Sequence, residues 1–408
     1  MARKVGGFEL CETGFCILKV LIVVNSLTTG GAGRQATALA GYLARHGDTV
    51  SMVPVNGSAG KNAYPFPPEV SLRYLSDWQE QETSQNLVGR LLNFLRMRRL
   101  LVEHRPDVIV ALLPYGVSLA VVSAVGLKIP VLACERNYPA ARIQRDSNPI
   151  RRMALAGVYR FIFRQAQAVT AQTEEAARWL AQHTGVRTIE TIPNGVRWPL
   201  PESSADLEPS DILKEGQKLL LGVGRLVREK RFSLLVQALC ENSQAMGDWH
   251  LVILGSGPEQ EAIQQLISAE MQDRIHLPGA LGNLARWYEA ADVFVLASEY
   301  EGYPNVLLEA MSYGVACISF DIKSGPSSII KNGTNGLLLK DDNHLSALKS
   351  ALLQLAQDES LRQRLGTAAL DVRTSHEPEK FLSRWRDLVQ WLATRGQRVG
   401  TVQNQTKS

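Results

Sequence analysis

Short runs of almost unbroken apolar residues, each followed by a helical stretch, are the feature that most constrains this chain. Residues 19–25, 50–55, 106–111, 130–134 and 169–173 read this way. Runs of that length without polar alternation are buried on both faces, the condition of strands in a parallel sheet covered by helices. The series stops at a Pro-, Ser- and acid-rich linker that ends near Ser210. It restarts with residues 218–223, 250–254, 274–277, 292–297 and 315–320. Residues 70–75 and 335–339 read as short edge strands. Two such series mean two α/β domains, and 408 residues are in any case too many for one ordinary core. The first domain is predicted over 1–196 and the second over 211–377. The tail, residues 379–393, is an amphipathic helix carrying Phe381, Trp385, Leu388 and Trp391. A helix so rich in large apolar side chains must pack on something, and 378–408 are expected to return to the first domain.

Composition narrows the class. The chain is 45% hydrophobic and 21% charged with a net charge of +4, which describes a globular protein and does not call for nucleic acid. Its five Cys residues are odd in number and scattered, as expected of reduced thiols, and Cys11 and Cys16 have no further Cys or His near them for a zinc site. No run reaches the roughly 18 apolar residues of a membrane span. Arg3 and Lys4 precede the apolar run at 17–24, but Glu9 and Glu12 intervene and Lys19 interrupts it. The reading is a mature cytoplasmic protein with an irregular extension over 1–16.

Two stretches carry chemistry. The strand at 19–25 runs into Ser-Leu-Thr-Thr-Gly-Gly-Ala-Gly-Arg (26–34), with a helix expected over 35–46. This puts Gly30, Gly31 and Gly33 in a loop at a strand's carboxyl end. The spacing is not Gly-x-Gly-x-x-Gly and no acidic residue ends the next strand, which argues against a nicotinamide cofactor and for a loop pressed against a sugar or phosphate. The second stretch follows the strand at 292–297: Ser-Glu-Tyr-Glu-Gly-Tyr-Pro-Asn-Val-Leu-Leu-Glu-Ala-Met, 298–311. Glu301 falls in a loop, Gly302 lets the backbone turn, Pro304 suits the first helical position, and Glu309 lies inside the helix. The N–H groups of Asn305 and Val306 then open the helix and attract phosphate. Two carboxylates flanking an anion site suit a nucleotide sugar. The bland alternative is that Glu301 and Glu309 are ordinary surface charges around a helix start.

Basic residues cluster in the first half. Residues 87–104 form a helix in which Leu91, Leu92, Leu95 and Leu101 alternate with Arg90, Arg96, Arg98 and Arg99. Further on, Arg136, Arg142, Arg145, Arg151, Arg152, Arg160 and Arg164 surround Tyr159, Phe161 and Phe163. Such helices either pack in the core with a solvated charged face or lie on an anionic membrane surface. The second segment could also hold an acidic acceptor such as a lipid diphosphate.

Glu301-x7-Glu309, with Gly-Arg-Leu-x-x-Glu-Lys at 224–230, resembles the retaining glycosyltransferases of family 4. The resemblance runs from Lys19 to about Ala393. It implies the GT-B fold: two Rossmann-like domains facing a central cleft, with the C-terminal helix returning to the first. It also implies roles. Arg225 and Lys230 would neutralise the donor diphosphate, and Gly279 and Ala280 belong to a loop whose backbone reads the nucleobase. Glu309 would accept from the ribose hydroxyls and Glu301 would contact the donor hexose. Gly30 and Gly31 match a glycine loop near the diphosphate or acceptor. The chain departs from the pattern at Glu135-Arg136-Asn137, where many members carry a His beside the donor sugar. That segment resembles bacterial enzymes that elongate polysaccharide or lipid-linked oligosaccharide repeats.

The expectation is therefore a retaining hexosyltransferase with a UDP-linked donor and a growing, lipid-linked glycan acceptor. It would work peripherally on the inner face of the plasma membrane. No Asp-x-Asp stands in a suitable loop, so no metal or other cofactor is expected. The alternatives are transfer to a soluble acceptor, and a non-catalytic nucleotide-sugar binder on the same fold.

Overall fold

A computed structural model describes residues 17–27, 31–56, 66–75, 87–144, 147–201, 207–340 and 343–404. The extension at 1–16 with Cys11 and Cys16, and also Gly30 and Arg145, lie outside the described residues. The chain divides into two compact units, 1–193 with 379–408, and 194–378.

The first unit is built on a seven-stranded sheet. Its strands are β1 (Lys19–Val24), β2 (Thr49–Pro54), β3 (Ser71–Leu72), β4 (Val108–Leu112), β5 (Val131–Cys134), β6 (Ala168–Ala171) and β7 (Ile189–Thr191). They lie in the order β3-β2-β1-β4-β5-β6-β7, and every pair is parallel. β4, β5 and β6 are buried at every position, which is why β4 and β5 read as unbroken apolar runs and β6 as one broken only by Thr170. The strand expected over 70–75 shrinks to the two residues of β3, because only Ser71 and Leu72 pair with β2. The helix Glu174–Thr184 starts where a cap demands it, with Thr173 Oγ1 accepting from the Ala176 N–H at 3.2 Å.

The tail helix, Pro378–Asn404, packs on this unit from Glu379 onward. Trp385, Leu388, Val389 and Leu392 join Val20, Ile22, Leu39 and Leu43 in one apolar cluster. Arg384 ties it to the sheet edge through Glu190 and the Thr191 carbonyl, both at 2.7 Å.

The second unit is a six-stranded parallel sheet. It comprises β8 (Lys218–Val223), β9 (Trp249–Leu254), β10 (Ile275–Gly279), β11 (Val293–Leu296), β12 (Ala316–Phe320) and β13 (Leu337–Leu339). The order is β10-β9-β8-β11-β12-β13. In each sheet the order reverses beside the first strand of its series, the arrangement that leaves a crevice at the strands' carboxyl ends. Contacts set the division at 193/194, ahead of the linker, because Val196 and Leu200 are buried in the second unit's core with Leu219, Leu221 and Trp287. Among the described residues no helix is long and apolar enough to cross a membrane.

Candidate functional site

In the second unit the chemistry-bearing residues gather at the carboxyl ends of β8, β9, β10 and β11. The loop after β11 is held from three sides. Glu301 Oε1 lies 2.5 Å from Lys230 Nζ and accepts from Ser298 Oγ at 2.7 Å. Lys230 ends a 3-10 turn, Arg228–Lys230, and the Glu299 N–H donates to the Glu229 carbonyl of that turn at 2.8 Å. Arg231 fastens the two together: its guanidinium donates to the Ala297 and Ser298 carbonyls at 2.8 and 3.1 Å and stacks on Phe320 at 4.9 Å. Burial holds the Arg231 pKa below the ordinary guanidinium value. On the third side, Ser324 Oγ donates to the Gly302 carbonyl at 3.3 Å.

The backbone bends at Gly302 as expected, but without a left-handed φ. Gly302 is buried, and the left-handed residue beside it is Gly325, at φ 102°. A Cβ on Gly325 would stand 2.9 Å from Pro304 Cδ and 3.3 Å from Glu301 Cβ. Pro304 itself is the cap residue rather than the first helical one, and the helix runs Asn305–Ser312. The reason is visible in the ladder: the Leu307 and Leu308 N–H groups reach back to the Pro304 carbonyl at 3.2 and 3.3 Å. Asn305 and Val306 are thus the leading donors, with no turn before them to accept. The Asn305 carboxamide is fixed by Asn194 at 2.6 Å, a residue that sequence reasoning does not single out. One turn into the helix Glu309 is buried, and Tyr288 Oη donates to its Oε2 at 3.1 Å. Glu309 is therefore no surface charge, and neither is Glu301.

Arg225 is exposed on the loop that leaves β8. Two glycines without an assigned role support it. A Cβ on Gly255 would meet the Gly224 carbonyl at 1.8 Å, and one on Gly257 would meet that of Leu226 at 2.3 Å. Only glycine lets these loops lie against each other, and they are then joined by Leu226 N–H to Ser256 O at 2.9 Å. Gly279 closes β10 at φ 92° and its carbonyl accepts from the Gly255 N–H, with Ala280 exposed beyond it. Arg225, Lys230, Gly279, Glu301, Asn305 and Glu309 thus belong to one connected set of loops. Among the described residues no group of three or more His, Cys, Asp or Glu side chains is placed to hold a metal ion.

The remaining residues sit in the first unit. Gly31 does not lie in a loop, because the helix expected from Gln35 already begins at Gly31. Gly33 is buried in its first turn, and its carbonyl accepts from Thr37 Oγ1 at 3.0 Å. Glu135, at the end of β5, is 2% exposed and organises its own segment. Its Oε1 accepts from the Arg136 and Asn137 N–H groups at 3.0 and 3.1 Å, and its Oε2 from Tyr159 Oη at 2.9 Å. Arg136 is also buried, which lowers its pKa to about 10, while Asn137 is exposed.

Known proteins share this architecture. Residues 29–197 match the model described as Glycosyltransferase Family 4, and residues 205–372 match that described as Glycosyl transferases group 1. The chain belongs to glycosyltransferase family 4. Among its relatives is the amylovoran biosynthesis glycosyltransferase AmsD of Erwinia amylovora, 26% identical over 91% of this chain and 99% of that one. Another is an alpha-1,4-N-acetyl-D-galactosaminyltransferase of Campylobacter jejuni, named for an undecaprenol-diphosphate-linked glycan. It is 24% identical over 90% of this chain and 98% of that one. HepE of Anabaena, solved with UDP and glucose, superposes with a TM-score of 0.73 at 17% identity, covering 91% of this chain and 99% of that one. At that identity the likeness is one of fold, and the fold is GT-B. This family 4 member is a glycosyltransferase.

Proposed function

We propose that the enzyme transfers a hexose or N-acetylhexosamine, with retention of configuration, from a UDP-sugar to a growing glycan. The acceptor is carried on a polyprenyl diphosphate or a lipid A core, in bacterial cell-surface polysaccharide or lipopolysaccharide biosynthesis. The enzyme works from the cytoplasmic face, peripheral to the membrane. The single observation that carries this reading is the Lys230–Glu301 pair held beside the opening turn of the Asn305–Ser312 helix. A fixed cation and leading N–H donors meet a diphosphate, and a carboxylate next to them meets sugar hydroxyls. The undecaprenol-linked substrate in the name of the Campylobacter relative supports the lipid-linked acceptor, and the UDP and glucose bound to HepE support the donor.

In this reading Arg225 and Lys230 neutralise the diphosphate together with the Asn305 and Val306 N–H groups. Glu309 accepts from the ribose hydroxyls, and the Gly279–Ala280 backbone faces the base. Glu301 orients the hexose. The bond from the anomeric carbon to the phosphate oxygen breaks as the acceptor hydroxyl forms its own bond on the same face. The acceptor's proton passes to the leaving phosphate oxygen, so no protein base is required. The cations of the chain supply what a metal would, and no metal is assigned to the reaction. Gly30 and Gly31 are assigned to the donor side, near the diphosphate or the acceptor, and Glu135, Arg136 and Asn137 to the acceptor side.

The test is nucleotide release from UDP-, GDP- and ADP-sugars, with and without bacterial membrane lipid extract. Release from a UDP-sugar only when lipid is added is expected. Release with soluble acceptors alone overturns the lipid-linked acceptor, and release that EDTA abolishes and Mg²⁺ restores overturns the metal-free reaction.

A further inference from the structure

In the first unit three helices lie side by side over one face of the sheet: Leu87–His104, Pro114–Ala124 and Pro149–Gln165. Their inward residues, among them Met97, Leu101, Val121, Tyr159 and Phe163, share one core with Ile109 and Val169. That leaves each helix an outer side, and the outer sides of the first and third are not polar. Val88, Leu91 and Leu95 are 64%, 58% and 52% exposed, and Ile150, Met153 and Phe161 are 76%, 77% and 58% exposed. The spacings 88-91-95 and 150-153-161 each fall on one stripe of a helix. A lone exposed leucine is ordinary, but two such stripes in one helical layer mark a surface that something covers.

Charge selects the occupant. Arg99 borders the first stripe and Arg160 and Arg164 the second, with Arg90, Arg151 and Arg152 farther round the same helices; all six are exposed. Residues 149–165 contain no acid, and on 87–104 the sole acid, Glu103, is held by Arg99 at 2.7 Å. The chain's net charge is only +4, so this layer concentrates its basic side chains. A second copy of the chain, seated about a two-fold axis, would set arginine against arginine. Nucleic acid would leave the aliphatic stripes uncovered. An anionic bilayer accepts both features, with the apolar stripes among the acyl chains and the guanidinium groups at the headgroups.

We infer that the outer faces of helices 87–104 and 149–165 together form the surface by which the enzyme seats on an anionic lipid bilayer. This inference rests on the lipid-linked acceptor proposed above, and it gives that acceptor a geometry. The inner side of the 149–165 helix carries Tyr159, whose hydroxyl donates to Glu135. The helix lying on the bilayer is thereby tied to the segment assigned to the acceptor.

The experiment is co-sedimentation of the full chain with vesicles of phosphatidylglycerol and phosphatidylcholine, against vesicles of phosphatidylcholine alone. The variants are L91D/L95D, M153D/F161D and R151E/R152E, with L266D as a control at an exposed leucine of the second unit. The wild type is expected to bind the anionic vesicles in a salt-sensitive way, each arginine strengthening partition about fivefold. L91D/L95D and M153D/F161D should each weaken binding at least about tenfold, R151E/R152E should abolish the preference for anionic lipid, and L266D should bind as the wild type does. Thermal melts confirm that the variants are folded. Failure of the wild type to bind, or equal binding by all variants, overturns the inference. So does a dimer of the wild type, seen by light scattering, that L91D/L95D dissolves. Transfer to a water-soluble, short-chain polyprenyl diphosphate glycan is measured in parallel. If that transfer occurs without vesicle binding, the surface is refuted and the acceptor stands; if it fails while vesicles bind, the reverse holds.

Discussion

Lys230 Nζ and Glu301 Oε1 are 2.5 Å apart, although 71 positions separate the residues in the chain. Their side chains are 18% and 13% exposed, so neither charge is fully solvated. Each therefore stabilises the other until a ligand arrives. Lys230→Ala should lower kcat/KM about 10²- to 10³-fold, the usual effect of removing a group that stabilises charge on a leaving oxygen. It should also lower Tm, because Glu301 loses its counter-ion in a half-buried place. Glu301→Gln should lower transfer on the same scale. UDP should bind it at least as tightly as it binds the wild type, since Lys230 is released. Steady-state kinetics and calorimetry check both, and wild-type turnover by Glu301→Gln would remove that carboxylate from the chemistry.

Gly325→Ala separates position from stability. Its φ of 102° is strained for any side chain, and the new Cβ would press on Pro304, Gly302 and Glu301. The Glu301 loop has to move, and a shift near an ångström costs about 10²-fold in rate. Gly333→Ala is the control, at φ 71° with nothing within 4 Å of its Cβ. Both should lose about 1–3 kcal/mol in urea unfolding, and only Gly325→Ala should lose turnover. Equal activities would show that the Glu301 loop does not depend on Gly325.

The strands and most helix ends could be read from the sequence because local chemistry fixes them. β4 and β5 are apolar throughout because helices cover both faces, and Thr173 caps its helix through its own hydroxyl. What escaped is set by contacts distant in sequence. A Gly-Ala-Gly run is poor helix material, yet the helix begins at Gly31, its first turn buried at Gly33. Nothing local marks Gly255 or Gly257 as the spacers under Arg225, or Asn194 as the partner of Asn305. The Glu-x7-Glu spacing located the two carboxylates, but Lys230 and Tyr288, which hold them, become neighbours only through the sheet.

Glu135 is proposed above as a residue of the acceptor side, and its surroundings give it a structural duty as well. Its two oxygens accept from two N–H groups and from Tyr159 while 2% exposed. Glu135→Ala should therefore destabilise by about 3 kcal/mol, and Tyr159→Phe by about 2 kcal/mol. Glu135→Gln keeps one acceptor oxygen and should cost less than Glu135→Ala. Denaturant unfolding measures all three. If Glu135→Ala were as stable as the wild type and only transfer fell, the carboxylate would act on the acceptor rather than on its own segment.

The last prediction concerns acid. His250, His276 and His376 all have pKa values below the ordinary 6.5, in each case chiefly because burial disfavours the charged ring. His376 Nε2 lies 2.7 Å from Tyr303 Oη, and burial raises the pKa of that tyrosine. The phenol thus keeps its proton and donates to a neutral imidazole. Tyr303 stands two residues from Glu301, so this bond helps to anchor the Glu301 loop. In the unfolded chain the three rings take up protons near 6.5, and in the fold only at lower pH. Between those values the unfolded state binds more protons, so stability falls as pH falls. The contribution is complete above about pH 6.5 and is lost progressively below it. Thermal melts between about pH 8 and pH 5.5 should show Tm dropping over the acidic half of that range. His376→Asn should make the drop shallower, because one of the three proton uptakes is gone. Its Tm at neutral pH should also be lower, since Tyr303 loses its acceptor. A Tm that stayed level down to pH 5.5 would mean that these imidazoles are as free to take a proton in the fold as out of it.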